Sequence, residues 1–194
     1  MALPSTAIQL NTLAQSDVPP IFNTYRGEAQ MEDFLPPGYE PPSSSGNYMK
    51  FEKGENRFRI LSKPIIGWED WQDKRPIRFR MDEKPEKSVD PKKPVKHFWA
   101  MVVWNYKLER VQVLELTQSG IQKTIRALSG DADWGSPLEY DIKVLRTGDG
   151  MDTEYQVNPI PHKPVAAEIA EQAKQLNINL EALFTGDDPF TTPF

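Results

Sequence analysis

Between His97 and Tyr106 the chain reads HFWAMVVWNY, a run that is aromatic, β-branched and apolar on both parities. Strand side chains alternate between two faces, so this run makes a long central strand. The same alternation leaves open whether Trp99 and Trp104 face a core or a groove. A turn at 107–109 and an alternating stretch from Arg110 to Leu116 supply its hairpin partner.

The flanks read as more strand with one helix. Upstream, Arg57-Phe58-Arg59-Ile60-Leu61 and Ile77-Arg78-Phe79-Arg80 alternate basic and apolar residues, as strands with one wet face do. Trp68 and Trp71 stand among Glu69, Asp70, Gln72 and Asp73, which reads as a loop that exposes both indoles. Prolines 85, 91 and 94 make Lys84 to Lys96 a long loop. Downstream, Ile121, Ile125 and Leu128 fall at helical spacing after Thr117 or Ser119 as a cap and before Gly130. Leu138 to Arg146 alternates, Gly148-Asp149-Gly150 turns, and Thr153 to Val157 returns. Strands with one helix between the third and fourth are the connectivity of a mostly β, five-stranded OB-fold barrel. An open β-sandwich with a packed helix is the rival.

The barrel is expected over residues 47–162. Residues 1–46 hold seven prolines and end in PPGYEPPSSSG, the composition of a flexible Pro-rich arm. In residues 163–194, Val165, Ile169 and Leu176 suggest a C-terminal helix, followed by an acidic, proline- and aromatic-containing tail with no core pattern. The whole-chain hydrophobic share of 38% with 18 prolines fits a domain carrying extensions.

The chain has no cysteine, which removes disulfides, thiolate zinc sites and Cys nucleophiles; its imidazoles are His97 and His162. No phosphate-cradling, nucleophile-elbow or HExxH motif occurs. Asp131, Asp133, Glu139, Asp141, Asp149, Asp152 and Glu154 could in principle hold a divalent metal, but most sit at turns, where Asp serves the backbone. The expectation is a chain with no cofactor and no catalysis. No basic leader and no apolar run of membrane-spanning length is present, so the expected location is cytoplasmic, with no membrane partner.

The net charge of −5 is unevenly spread. Residues 47–110 carry 16 Lys and Arg against 10 Asp and Glu, while the rest carries 7 against 18. Single-stranded nucleic acid is bound by cations for phosphates and flat side chains for unpaired bases. The basic segment offers Arg57, Arg59, Lys63, Lys74, Arg75, Arg78, Arg80, Lys92, Lys93 and Lys96 beside Trp68, Trp71, Trp99, Trp104 and Tyr106. A protein adaptor using the same barrel for a peptide is the alternative.

Tyr48-Met49-Lys50-Phe51-Glu52-Lys53-Gly54-Glu55-Asn56-Arg57-Phe58-Arg59-Ile60-Leu61, Lys96-His97-Phe98-Trp99-Ala100, Asp133-Trp134-Gly135 with Tyr140-Asp141-Ile142, and Asp152-Thr153-Glu154-Tyr155 resemble the core of bacteriophage single-stranded DNA-binding proteins. The resemblance implies an OB-fold that coats single-stranded DNA during phage replication, recombination or repair, with self-association on the DNA. Gly186-Asp187-Asp188-Pro189-Phe190 is similar to the acidic tip by which bacterial single-strand binders recruit replication and repair enzymes, and Pro193-Phe194 repeats its ending. It implies that Asp187, Asp188, Pro189, Phe190 and Phe194 bind partner proteins. The zinc site of the T4-type helix-destabilising protein has no counterpart here.

Overall fold

The computed structural model describes residues 46–191. Residues 1–45 of the expected arm and Phe194 of the expected tail lie outside the described residues. Within them the chain forms β1 (Tyr48–Met49), β2 (Gly54–Ile60), β3 (Ile65–Gln72), β4 (Arg75–Phe79), β5 (Lys96–Asn105), β6 (Arg110–Leu116), α1 (Ser119–Ser129), β7 (Asp141–Thr147), β8 (Glu154–Pro159), α2 (Ala167–Leu176) and α3 (Ala182–Thr185).

β5 is buried on both faces. Phe98, Ala100, Val102 and Trp104 point to an outer face, where Val111 and Val113 of β6, Ile169 of α2, Leu180 and Leu183 enclose them. Met101 and Val103 point to an inner face, with Phe58, Ile60, Leu114, Leu116, Ile142, Val144 and the α1 residues Ile121 and Ile125. Each fully buried side chain of this size contributes about 1.5–3 kcal/mol. Both helical layers are therefore integral to the fold.

The neighbours of β5 are antiparallel to it: β6 along one edge, with Val102 opposite Val113, and β2 along the other, with Phe58 opposite Asn105. β7 pairs with β2, β8 with β7, and the two residues of β1 run parallel to β6. The path β1-β6-β5-β2-β7-β8 is open among the described residues, and α1 packs against both β6 and β8. An eight-stranded open mixed sheet thus stands where five barrel strands were expected, while the mostly β character and the helix between Leu116 and Leu138 are as the sequence implied. The expected cap is corrected: Gln118 is the N-cap residue and makes no side-chain cap bond. Instead the buried Gln122 amide donates to the carbonyls of Leu116 (2.7 Å) and His97 (3.2 Å), fastening α1 to the strand ends.

β3 arises where acidic residues disguised a strand, while its partner β4 covers the alternation expected at Ile77-Arg78-Phe79-Arg80. β3 continues along the edge of β5 that β2 leaves, from Ile65 opposite Ala100 to Glu69 opposite Lys96. Between the two ladders Leu61, Ser62, Lys63 and Pro64 oppose only Met101 and Val102, so the strand bulges outward there. The bulge is closed by Leu61 N–H donating to Val102 O (2.8 Å) and by Val102 N–H donating to Ser62 Oγ (3.0 Å). β4 folds back on β3 through Asp73 and Lys74, whose φ values of 50° and 65° make the tight hairpin turn. Gly67 permits the close packing of this arm: a Cβ there would lie 2.3 Å from Phe79 O and 3.0 Å from the Phe184 ring.

One buried carboxylate ties three strands together. Asp141 Oδ1 accepts from Arg59 Nε (2.5 Å) and the Tyr106 hydroxyl (3.1 Å), and Oδ2 accepts from Arg57 Nε (3.0 Å) and Nη2 (2.5 Å). Arg59 and Asp141 are each 1% exposed. Removing one member of a buried pair leaves the other charge without compensation, at about 3–5 kcal/mol. Asp141→Ala is expected to lose that much stability, read from urea unfolding followed by circular dichroism, whereas Lys53→Ala, which breaks an exposed 2.6 Å pair with Asp149, changes it by no more than about 1 kcal/mol.

Candidate functional site

The placement of the basic residues divides them into two groups. The arginines of β2 and the end of β4 are paired: Arg57 and Arg59 with Asp141, Arg78 with Glu115 (2.6 Å) and, at 3.8 Å, with Glu69, and Arg80 with Glu181 (2.8 Å). Lys63, Lys74, Arg75, Lys92, Lys93 and Lys96 are exposed and form no ion pair among the described residues. The uncompensated charge therefore lies at the bulge, at the β3–β4 turn and along the loop that leads into β5.

The aromatic residues divide similarly. Trp104, expected in a groove, is 7% exposed and belongs to the outer core; Arg59 and Arg78, also expected there, are held inside by their carboxylates. Tyr106 is half-buried, with the Arg57 guanidinium 4.4 Å above its ring and its hydroxyl on Asp141. Burial, followed by the Asp141 charge, raises its pKa above the usual tyrosine value. Trp68 and Trp71 stand on β3 rather than in a loop and are half-buried. Being three residues apart on a strand, they point to opposite faces, so the single groove expected for both becomes two patches.

On the inner face, Trp68 opposes His97 across the β3–β5 ladder, and Trp99 follows two residues along. Their rings form a row with centroid separations of 5.3 and 6.5 Å, each pair edge to face. The Trp68 indole donates to Met81 O (3.1 Å), and Lys84 Nζ lies 4.3 Å from its ring centroid. Ile66, between them on the same strand face, is 43% exposed. On the outer face, Trp71 donates its indole N–H to Glu69 Oε1 (3.1 Å), carries Lys93 at 5.4 Å and borders a groove with Lys92 and Lys96. Burial, reinforced by Glu115, raises the Glu69 pKa against the opposing pull of Arg78 and the Trp71 bond.

His97 and Lys84 were absent from the sequence expectation. The signal for His97 lay in strand parity, which sets it beside Trp99, but that signal has meaning only once β3 is known to be a strand.

The cationic loop is held in place by one carboxylate. Asp70, 1% exposed, accepts from the Val89 amide (2.8 Å), the Ser88 hydroxyl (2.7 Å) and the Trp71 amide (2.8 Å). Burial alone would raise its pKa, but these bonds outweigh burial and hold it below the ordinary 3.8. The carboxylates proposed for a metal are dispersed: Asp141 serves the two arginines and Asp149 pairs with Lys53. No three His, Cys, Asp or Glu side chains among the described residues come together at metal-binding distance.

The C-terminal segment is folded back. Asp187 and Asp188 are exposed, but Pro189 is buried and its carbonyl accepts from Asn179 N–H (2.9 Å), while Phe190 meets Tyr48 edge to face at 6.3 Å. Of the described residues, no helix is long and apolar enough to cross a membrane.

Over an alignment of 177 residues this chain is 24% identical to a protein of Escherichia phage T5 named "Probable ssDNA-binding protein", with 72% of this chain and 68% of the other covered. The likeness to phage single-strand binders read from the residues is thus met by a distant relative. No protein-family model and no solved structure matches the chain.

A carboxylate with a depressed folded pKa stabilises fully above its unfolded value and loses that contribution as pH falls through the folded one. The loop anchor is therefore intact at neutral pH and released only in acid, below about pH 4. Asp70→Ala is expected to free the loop at pH 7: hydrogen exchange at the Val89 amide should accelerate at least tenfold, with β5 and β6 amides unaffected.

Proposed function

We propose that this chain binds single-stranded DNA, without chemistry of its own, along the Trp68–His97–Trp99 row and the adjoining loop from Lys84 to Lys96. The observation that carries the reading is the row of half-exposed rings with Lys84 over Trp68, at the start of a loop whose Lys92, Lys93 and Lys96 are exposed and have no carboxylate partner among the described residues. Distant similarity to a phage protein named for single-strand binding supports the same class of ligand. Unpaired bases stack on such rings for about 1–3 kcal/mol each, irrespective of sequence, while phosphates take the cations. Base preference is therefore weak.

In this reading the architecture is a variant of the OB barrel. The pairings β2–β5, β5–β6, β2–β7 and β7–β8, with α1 between β6 and β7, support it. β2 and β3 act as one bent first strand, and β4 with the cationic loop becomes the connection to the second, a segment that OB-folds use for oligonucleotides. The outer face of β5 and β6, the other surface such folds use, is covered by α2 and α3. Work in phage DNA replication, recombination or repair, in the host cytoplasm, belongs to the same proposal. So does partner recruitment through Asp187, Asp188, Pro189, Phe190 and Phe194, which requires the segment to leave Tyr48.

Fluorescence anisotropy of a labelled oligothymidylate, at several salt concentrations and against the matching duplex, tests the reading. Tight binding that weakens steeply with salt and prefers the single strand is expected. Trp68→Ala should weaken it roughly 5- to 150-fold. Lys92→Ala with Lys93→Ala should weaken it and flatten the log–log salt slope by about 0.7 for each phosphate no longer neutralised. Absence of binding at low salt, also after deletion of residues 186–194, would reject the reading and leave a protein adaptor in its place.

A further inference from the structure

The bulge between β2 and β3 opens a cavity at the inner end of the aromatic row. It measures about 240 Å³, is floored by Ile60, Met101 and Ile125, and is walled by Trp99 on one side and Leu138 on the other. The floor residues are 4%, 1% and 4% exposed, so the cavity is a well-formed apolar recess rather than a surface dent. A closed apolar cavity of about 150 Å³ accepts benzene; this recess, open at its mouth, is larger.

Its rim is polar and positive. Lys63 stands on the bulge and Arg126 on the last turn of α1, both exposed and neither in an ion pair among the described residues. Ser136 Oγ accepts from the Leu138 amide at 3.4 Å, and Ser129 Oγ donates to Arg126 O at 2.9 Å. An apolar slot, one aromatic wall and a pair of cations at the mouth complement a planar base attached to a phosphate.

We infer that this cavity receives one nucleobase, turned out of the bound strand, whose flanking phosphates lie on Lys63 and Arg126. The inference rests on the proposed binding of single-stranded DNA and adds to it an end point. The strand runs from Trp68 past His97 to Trp99, where the row stops and the slot begins. Arg126 and Leu138 then belong to the interface although neither lies in the basic segment. The bulge gains a purpose, because without four residues opposing two Lys63 would stay in the ladder and the slot would close.

The full chain is titrated with oligothymidylate and with a chain of the same length made only of abasic sugar phosphates. Ser129→Phe fills the slot from an exposed position and should lower oligothymidylate affinity about tenfold, leaving the abasic chain's affinity unchanged. Arg126→Ala should weaken both chains, since it removes a phosphate contact. Unaltered oligothymidylate binding by Ser129→Phe, or an equal loss for both chains, would overturn the slot while leaving single-strand binding intact. Failure of the unsubstituted chain to bind either probe would instead remove the reading beneath it. Leu138→Trp, at a position 38% exposed, provides a second filling variant, and a thermal melt shows that each variant folds. Tight binding of a Gly-Asp-Asp-Pro-Phe peptide that Ser129→Phe abolishes, with oligothymidylate unaffected, would make the slot a peptide site and also overturn the inference.

Discussion

Two-sided burial of β5 constrains everything else in this molecule. A strand whose odd and even side chains both leave water needs a layer on each face, and the chain supplies α1 with the curled β7 and β8 on one side and α2 with α3 on the other. The surface an oligonucleotide could otherwise use is thereby consumed. The arm that β3 and β4 extend past the end of the sheet, with the loop returning from it, stays outside these layers. Trp68, Trp71 and the lysines of the loop lie there and not in the core.

Charge is sorted by the same geometry. Where an arginine is buried against the sheet, desolvation makes an unpaired charge costly, and a carboxylate stands beside it: Asp141 for Arg59, Glu115 for Arg78. Lys74, Lys92, Lys93 and Lys96, on the β3–β4 turn and the loop, are exposed, and water solvates them. The carboxylates within the arm act structurally. Asp70 is spent on holding Ser88 and Val89, and Glu69 lies between Trp71 and Arg78.

The central hairpin could be read from the sequence because alternation and burial agree there: Arg110 to Leu116 is found with those bounds, and the strand before it is displaced by a single residue at each end. β3 could not be read, because Glu69 and Asp70 carry the marks of a loop and are buried only with Arg78 of β4 and the Trp71 indole beside Glu69 and with Ser88 and Val89 of the distant loop bonded to Asp70. Arg59 posed a similar problem. Its alternation with Phe58 and Ile60 signals a wet face, yet that face is dry because Asp141, 82 positions later, neutralises it. Trp99 and Trp104 differ by one strand parity, which assigns one to the aromatic row and the other to the core. No local pattern distinguishes these cases until the layers on each face are known.

The C-terminal segment is docked on the outer layer. It is held by backbone bonds from Asp187 to Ala182 and from Asn179 to Pro189, by the Thr185 hydroxyl on Asp187, by the burial of Pro189 and by Phe190, which packs on the outer core and meets Tyr48 edge to face. Under the proposed recruitment, a protein that reads Pro189 and Phe190 would first have to free the segment, and its apparent Kd would be the intrinsic one divided by the released fraction. Tyr48 and Asn179 would set the strength of that encounter without touching the reader.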